Sequence, residues 1–160
     1  MAQNAGSFEC GWLGDRAGGV WKRFLAASQR IEQRLDRELR TRHGISHTQY
    51  EILVQLADAG DYGLPMSDLA DWAVTAKSAV TYQVGRLVER GFVARKECPV
   101  DGRRMYASIT DDGKSLLGKV APDHLALVRA LFVDVLDEGQ LDALDGMLDA
   151  WCGRLTDEAG

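Results

Sequence analysis

The sequence predicts a mainly α-helical fold that carries one small β-hairpin. Apolar residues recur at three- and four-residue spacing over most of the chain, as they do on the buried face of a helix. The period changes between Phe92 and Ile109, where two short runs rich in β-forming residues flank a turn. Helix-capping signals stand at the boundaries of the helical segments.

Composition and charge are those of one globular domain. The chain has 160 residues, of which 46% are hydrophobic and 27% charged, and this is enough to bury a core. No apolar run approaches the roughly 18 residues of a membrane span, and residues 1–19 lack the pattern of a secretory signal. Three widely spaced cysteines, Cys10, Cys98 and Cys152, argue against a disulfide framework. We therefore expect a cytoplasmic protein without a membrane partner.

The first third of the chain is predicted as an arm and two helices. Residues 1–19 are rich in glycine, alanine and small polar residues, and we expect a flexible arm. A long helix follows from Trp21 to Arg42 and ends before Gly44. Ser46 and Gln49 have the spacing of a capping box, which predicts the start of the next helix.

Two shorter helices precede the hairpin. One covers Ser67–Ala73, and the other runs from a Thr75 cap to Arg90 and closes at Gly91. On the second helix the expected buried residues are Ala76, Ala79, Val80, Val84 and Leu87. The opposite face would carry Lys77, Ser78, Thr81, Tyr82 and Gly85.

The hairpin and two further helices complete the chain. Strands are expected over Phe92–Glu97 and Arg104–Ile109, joined by a turn with Pro and Asp-Gly signals. Thr110 is the predicted cap of the next helix, in which Pro122 is a kink or a first-turn residue. The last helix starts at a second capping box, formed by Asp137 and Gln140.

The order helix, helix, turn, helix, basic hairpin is the plan of a winged helix-turn-helix, which we assign to residues 46–110. Residues 75–104 hold seven basic and three acidic residues, a net of +4, whereas residues 137–160 have a net of −6. A helix fits the major groove of DNA, where base edges are distinguishable. The predicted base-reading residues are Lys77, Ser78, Thr81 and Tyr82.

Three arginines are further candidates for DNA contact. Arg103 stands at the hairpin tip, and an arginine there is long and thin enough to enter the minor groove. Arg104 begins a strand and either faces phosphate or is merely exposed. Arg86 contacts DNA or, alternatively, pairs with Glu89, three residues further along the same helix.

Several motifs together resemble the MarR (multiple antibiotic resistance regulator) family of bacterial transcription factors. They are Met66-Ser67-Asp68-Leu69-Ala70-Asp71, Lys77-Ser78-Ala79-Val80-Thr81, Arg86-Leu87-Val88-Glu89-Arg90-Gly91-Phe92-Val93, Asp101-Gly102-Arg103-Arg104 and Ile109-Thr110-Asp111-Asp112-Gly113. The most specific piece is the Asp-x-Arg hairpin, followed by an apolar residue, Thr, two residues and Gly. The resemblance extends over residues 20 to 155.

The resemblance implies a homodimer on a pseudo-palindromic double-stranded DNA operator, with repression relieved by a small ligand or an oxidant. It assigns residues 20–45 and 111–160 to a helical dimerisation stem. The candidate dimer residues are Trp21, Leu131, Phe132, Leu141, Leu144, Leu148 and Trp151. The family's effector pocket lies between the first, second and fifth helices. For a phenolic or aromatic effector, the candidate lining residues are Phe24, Ser28, His47 and Tyr50.

The sequence departs from the family pattern at three positions. Gly85 stands where relatives often have Asp, and this removes a possible partner for Arg86 or a hairpin arginine. Tyr82 stands where many relatives have Arg, and a phenol offers one hydroxyl in place of a bidentate fork. His47 replaces a frequent Pro. Because of Tyr82, the operator is expected to differ.

Other functions remain as alternatives. No phosphate-binding loop, H-E-x-x-H, G-x-S-x-G or close Cys/His pair is present, so we expect no enzyme and no cofactor. A winged domain that binds only proteins is one alternative. A zinc-responsive regulator would use His43, His47 and His124, and a redox-responsive one Cys10. Cys152 is expected to be a small buried hydrophobe. The effector, the operator and the choice between repression and activation are not encoded in any motif.

Overall fold

The computed structural model describes residues 14–72, 77–97 and 105–157. Within these ranges the helices are α1 (Asp15–His43), α2 (His47–Asp58), α3 (Met66–Trp72), α4 (Lys77–Glu89), α5 (Asp111–Leu131) and α6 (Glu138–Asp157). The strands are β1 (Leu64–Pro65), β2 (Val93–Glu97) and β3 (Met105–Ile109), and 3₁₀ turns cover Gly60–Tyr62 and Val133–Val135. The mainly helical fold with a small β-hairpin is confirmed. None of the described helices could cross a membrane. The chain divides into two compact units, residues 1–34 and 35–160.

Helix α1 begins six residues before the predicted start at Trp21. Residues 15–19, assigned from the sequence to the flexible arm, are helical, and the Gly18 N–H donates to the Gly14 carbonyl at 2.9 Å. Glycine costs a helix about 1 kcal/mol relative to alanine, which favours a loose arm here. Each residue added to a nucleated helix gains a hydrogen bond, however, so α1 continues through its glycines. Residues 1–13 of the predicted arm lie outside the described ranges.

Helix α2 starts at the predicted capping box. The Gln49 N–H donates to Ser46 Oγ, and the Ser46 N–H donates to Gln49 Oε1, each at 3.1 Å. Both cap residues are buried, so each satisfies a backbone donor that water does not reach. Helix α1 provides a further hydrogen bond to the start of α2, in which Asp36 Oδ1 accepts the His47 N–H at 3.0 Å.

The core of the second unit lies between α2, α3, α4, the sheet and α5. Its main residues are Leu39, Ile45, Ile52, Leu53, Leu56, Leu69, Val80, Val84, Leu87, Val93, Ala107, Ile109 and Val120. Three of the five predicted core positions on α4 are fully buried. The prediction for Ala79 is wrong, since this residue is exposed. It lies about 100° around the helix from Val80, and a lone methyl group at the surface costs little. Thr75, Ala73 and Ala76 lie outside the described residues.

The sheet has three antiparallel strands in the order β1-β3-β2. Strands β2 and β3 pair from Val93 opposite Ile109 to Glu97 opposite Met105, as the hairpin prediction requires. The two-residue strand β1 has no sequence signal of its own. It depends on Gly63, which has φ 74° and lies so close to β3 that a Cβ would stand 2.1 Å from the Ala107 carbonyl oxygen.

The end of α4, the base of the hairpin and the start of α5 meet at one junction, which we term the wing base (Gly91, Phe92, Thr110 and Gly113). Gly91 has φ 78° and closes α4 as predicted. The Phe92 N–H donates to Leu87 O at 3.0 Å and the Gly91 N–H to Val88 O at 2.9 Å. This is a Schellman motif, and it directs the chain from α4 into β2.

Thr110 connects α5 to the wing base. Its Oγ1 accepts the Gly113 N–H at 3.1 Å and so caps α5, while its hydroxyl donates to Gly91 O at 2.7 Å. The Thr110 N–H donates to Phe92 O at 3.0 Å. Gly113 is tightly enclosed, because a Cβ there would lie 2.2 Å from Phe92 O and 2.7 Å from Ile109 Cγ1. The spacing of Thr110 and Gly113 is thus a packing requirement of the wing base.

The C-terminal helices follow their predicted caps. Helix α5 is a single helix with Pro122 in its interior, so Pro122 is not a first-turn residue. The Gln140 N–H donates to Asp137 Oδ1 at 2.8 Å, and the Asp137 N–H donates to Gln140 Oε1 at 3.0 Å. The second capping box is confirmed. Cys152 is exposed on α6, against the prediction that it is buried.

A substitution at Gly113 tests the wing base. We expect Gly113→Ala to lower the free energy of unfolding by about 1–3 kcal/mol, because the added methyl group overlaps the Phe92 carbonyl. Gly118→Ala is the matched control on the same helix, where nothing lies within 4 Å of the new Cβ. It should stabilise the protein by up to about 1 kcal/mol. Urea denaturation measures both, and equal stability of the two variants would contradict the packing requirement.

Candidate nucleic-acid interface

Helix α4 has an exposed polar face and, opposite it, a buried apolar face. Val80, Val84 and Leu87 are fully buried, whereas Ser78, Thr81 and Tyr82 are exposed, with Tyr82 at 64%. Spacings of three and four residues place the exposed side chains along one face of the helix. Lys77 is the first residue of α4. This face has the short polar groups that can meet base edges in a groove.

Arg86 is held by a neighbour on α4. Its Nη1 lies 2.7 Å from Glu89 Oε2, and both side chains are largely exposed. The predicted alternative of an Arg86–Glu89 pair is therefore confirmed, and DNA contact by Arg86 stays a prediction. Arg90 is also engaged, because its Nη1 donates to Gly44 O at 2.7 Å and its guanidinium stands 4.9 Å above the Phe92 ring.

The hairpin leaves the wing base beside α4. Strands β2 and β3 are paired up to Glu97 and Met105, and the tip between them lies outside the described residues. Arg103, Arg104 and Cys98 belong to that tip, so the proposed contacts of both arginines stay predictions. Arg95, on β2, was not a candidate from the sequence. Its Nη2 donates to the main-chain carbonyl of Thr81 at 3.2 Å, on the exposed side of α4.

The four predicted effector residues fall in both compact units. In the first unit, Phe24 is exposed and stacks on Trp21 at 6.0 Å, and Ser28 Oγ donates to Phe24 O at 2.8 Å. In the second unit, His47 and Tyr50 are buried. Their grouping into one pocket stays a prediction.

His47 and Tyr50 share an aromatic cluster with His124 of α5. The Tyr50 and His124 ring centroids are 4.2 Å apart, and those of His47 and His124 are 5.3 Å apart. Burial raises the pKa of the Tyr50 hydroxyl, so the phenol stays neutral at physiological pH. The cluster joins the start of α2 to α5 through ring contacts.

The proposed three-histidine zinc site is wrong. His43 Nε2 lies 3.1 Å from Asp123 Oδ2, a carboxylate that Arg42 also contacts at 3.2 Å, while His47 and His124 stack ring on ring. In residues 14–72, 77–97 and 105–157, no group of three or more His, Cys, Asp and Glu side chains is arranged to hold a metal ion. Cys10 lies outside these ranges.

Comparisons with known proteins agree with this arrangement. Residues 43–104 match the model of the MarR family. The transcriptional regulator MhqR of Bacillus subtilis is 32% identical over 107 residues, which are 67% of this chain and 72% of MhqR. The chain belongs to the MarR family.

Two solved MarR-family structures superpose on most of this chain. AbsC from Streptomyces coelicolor superposes with a TM-score of 0.85 at 32% identity, and covers 91% of this chain and 98% of its own. Sco3205 from the same organism, crystallised in complex with DNA, gives a TM-score of 0.85 at 33% identity, with 91% of each chain covered. The winged helix-turn-helix fold expected from the sequence is thereby confirmed.

The side chains predicted from the MarR family to form the dimer interface are partly or largely exposed to solvent in the single chain. Leu131, Phe132, Leu141 and Leu144 are half-buried. In α6, Leu148 is 38% and Trp151 45% exposed, and Met147 and Leu155 beside them are exposed as well. In the first unit, Trp21 is 50% exposed. Several exposed apolar side chains on one helix, as on α6, are typical of a protein interface.

Asp36 of α1 bonds to the start of α2 and has a shifted pKa. Burial acts to raise the pKa of the carboxyl, but hydrogen bonds from Arg40 (2.6 Å) and the His47 main chain outweigh it. The pKa is therefore held below its ordinary value. Because the folded pKa is the lower one, the carboxylate stabilises the fold above roughly pH 4. That stability is lost as the pH falls through the folded pKa.

Replacing the carboxylate tests this linkage. We expect Asp36→Asn to lower the free energy of unfolding by about 1 kcal/mol at pH 7, and the difference from the wild type should shrink below roughly pH 4. Urea denaturation in steps from pH 7 to pH 3 measures the difference. Asp58→Asn, at an exposed position of α2, is the control and should stay within about 0.5 kcal/mol of the wild type. A difference that does not change with pH would refute the assignment.

Proposed function

We propose that this MarR-family regulator is a homodimeric repressor that reads a pseudo-palindromic DNA operator with α4 and the hairpin of each protomer. The observation that carries the proposal is the exposed polar face of α4, which lies over fully buried valines and a leucine. Because the buried face of α4 is packed in the core, Ser78, Thr81 and Tyr82 are held on an ordered helix, and little further conformational entropy is lost on binding. The proposal places the protein in the cytoplasm, with its DNA.

Recognition by α4 follows from the dimensions of the major groove. Hydroxyl groups of Ser78, Thr81 and Tyr82 can each donate to or accept from a base edge there. Tyr82 offers a single hydroxyl and an aromatic body that suits contact with a thymine methyl group. Two such helices reach successive major grooves when they lie about 34–36 Å apart, which a twofold-symmetric dimer provides.

The hairpin supplies the second contact. We assign Arg103 to the minor groove, where a narrow A·T-rich segment concentrates negative potential. Arg104 would face phosphate, and Arg86 would leave Glu89 to do the same. These contacts position the dimer and make its affinity dependent on salt, because each neutralised phosphate releases counterions.

DNA binding is supported by Sco3205, which is 33% identical to this chain and was crystallised with DNA. MhqR, AbsC and Sco3205 are all transcriptional regulators, so no catalytic step is proposed. A small aromatic ligand is the proposed inducer, and the buried rings of His47 and Tyr50, with the half-buried ring of His124, would be the groups on which it stacks. It would release the operator by favouring a protomer arrangement with a different spacing of the two α4 helices.

Removing the hairpin arginine tests the DNA-binding proposal. We expect Arg103→Ala to weaken binding to an operator fragment by about tenfold and to flatten the dependence of affinity on salt. Fluorescence anisotropy with labelled duplex between 50 and 200 mM salt measures both quantities. Lys119→Ala removes the same charge from an exposed position of α5 and should bind like the wild type. Unchanged affinity of Arg103→Ala would remove the hairpin from the proposed interface.

A charge on α6 tests the dimer. Leu148→Glu would bury a carboxylate in the proposed interface and should weaken dimerisation by about 3 kcal/mol. Gly146→Glu adds the same charge on the opposite side of α6, where nothing lies within 4 Å of the new Cβ, and should leave the dimer intact. Sedimentation equilibrium distinguishes the two. A monomeric wild type, or equal dimerisation of both variants, would contradict the proposed stem interface.

A further inference from the structure

Arg95 brings a positive charge from the sheet onto the polar face of α4. Its side chain is exposed, and Nη2 donates to the Thr81 carbonyl oxygen at 3.2 Å. Thr81 lies in the middle of the face that we assign to base reading. A strand residue therefore contributes to this face, at a place that inspection of the helix sequence alone does not reveal.

Gly85 lies directly beside this contact. It follows Thr81 by one helical turn, and a Cβ at this position would stand 3.8 Å from Arg95 Nη2. The backbone here is ordinary helix without a positive φ, so conformation does not require glycine. A longer side chain would enter the position of the guanidinium, and an aspartate would pair with it.

The guanidinium of Arg95 can meet a phosphate without first leaving a carboxylate partner, whereas that of Arg86 cannot. Arg86 lies against the carboxylate of Glu89 at 2.7 Å. In the described part of the chain Arg95 bonds to a neutral carbonyl and pairs with no carboxylate. A guanidinium has five N–H donors, and this carbonyl takes one of them. The remaining donors can reach an anion in front of α4.

We propose that Arg95 is a further DNA contact, in which the guanidinium is held by the Thr81 carbonyl and donates to a backbone phosphate beside the groove that α4 enters. The inference rests on the proposed function, because it needs α4 to face DNA. A phosphate contact adds affinity for every sequence and does not select bases. The Thr81 bond limits the orientations of the side chain before DNA arrives, which reduces the entropy lost on binding.

Two substitutions of Arg95 distinguish the effect of its charge from the effect of its hydrogen bond to the Thr81 carbonyl. Arg95→Gln keeps an amide donor for the Thr81 carbonyl but removes the charge, whereas Arg95→Lys keeps the charge. Lys96→Gln is the matched control, because neighbouring strand residues point to opposite faces of the sheet. The probes are a labelled duplex selected by the wild-type protein from a random-sequence pool, and an unrelated duplex of equal length. Affinity is measured from 50 to 200 mM salt, and melting curves check the fold.

We expect Arg95→Gln to bind both duplexes about tenfold more weakly and to lower the slope of log affinity against log salt by about one per protomer. Arg95→Lys should keep the slope, and Lys96→Gln should match the wild type. If Arg95→Gln has wild-type affinity and slope, the inference is wrong. Equal losses for Gln and Lys at an unchanged slope would also overturn it, because Arg95 would then only position α4. A wild type that binds no duplex would instead overturn the proposed function, and this inference with it.

A substitution at Gly85 gives an independent test that leaves Arg95 in place. Gly85→Asp would set a carboxylate against the guanidinium, whereas Gly85→Asn offers a neutral side chain of the same shape. We expect the aspartate variant to show the lower salt slope and the weaker binding to both duplexes. Equal binding by the two variants would count against a phosphate contact by Arg95.

Discussion

The wing base is the constraint on which the rest of the DNA-binding unit depends. The Thr110 hydroxyl caps α5 and at the same time bonds to the carbonyl of Gly91, the residue that ends α4. Gly113 has no room for a side chain because the Phe92 carbonyl occupies it. One point of contact therefore fixes where α4 stops, where the hairpin starts and how α5 departs. A helix and a hairpin that must reach neighbouring grooves need such a fixed relation.

Burial differs between α4 and α6, the two helices to which the proposed function assigns different partners. The residues that hold α4 from below are fully enclosed, whereas α6 leaves Trp151 and Leu155 exposed at 45% and 70%. The acidic residues of α6 and the basic residues near the hairpin also lie in separate segments of the sequence. An apolar surface suits a second copy of the chain, and a polar, basic one suits DNA. The same fold thus serves both contacts that the proposed function requires.

The sequence predicts local structure best where the determinants are local. The capping boxes at Ser46 and Asp137 and the glycine end of α4 involve residues within a few positions of one another, and all three are confirmed. Contacts between distant residues are different. Strand β1 lies beside β3 because Gly63 leaves room for the Ala107 carbonyl, and Arg95 of β2 reaches the Thr81 carbonyl of α4. Neither contact has a periodic signal along the chain.

The prediction errors have related causes. Helix α1 extends to Asp15 because an established helix tolerates glycines that would not nucleate one. The three histidines of the rejected zinc site fall on three different elements, and only the fold decides that His43 meets Asp123 while His47 and His124 stack. Base-reading and effector residues depend on partners that a single chain does not contain. Their positions can be predicted from the sequence, but their contacts require the complex.

Chemical probing of a bound operator tests the central claim most directly, because dimethyl sulfate methylates guanine N7 in the major groove and adenine N3 in the minor groove. The account predicts two clusters of protected guanines about 10 base pairs apart, each flanked outside by protected adenines where the hairpins lie. Protection in a single cluster, or protected guanines without protected adenines, would contradict a twofold dimer that reads both grooves.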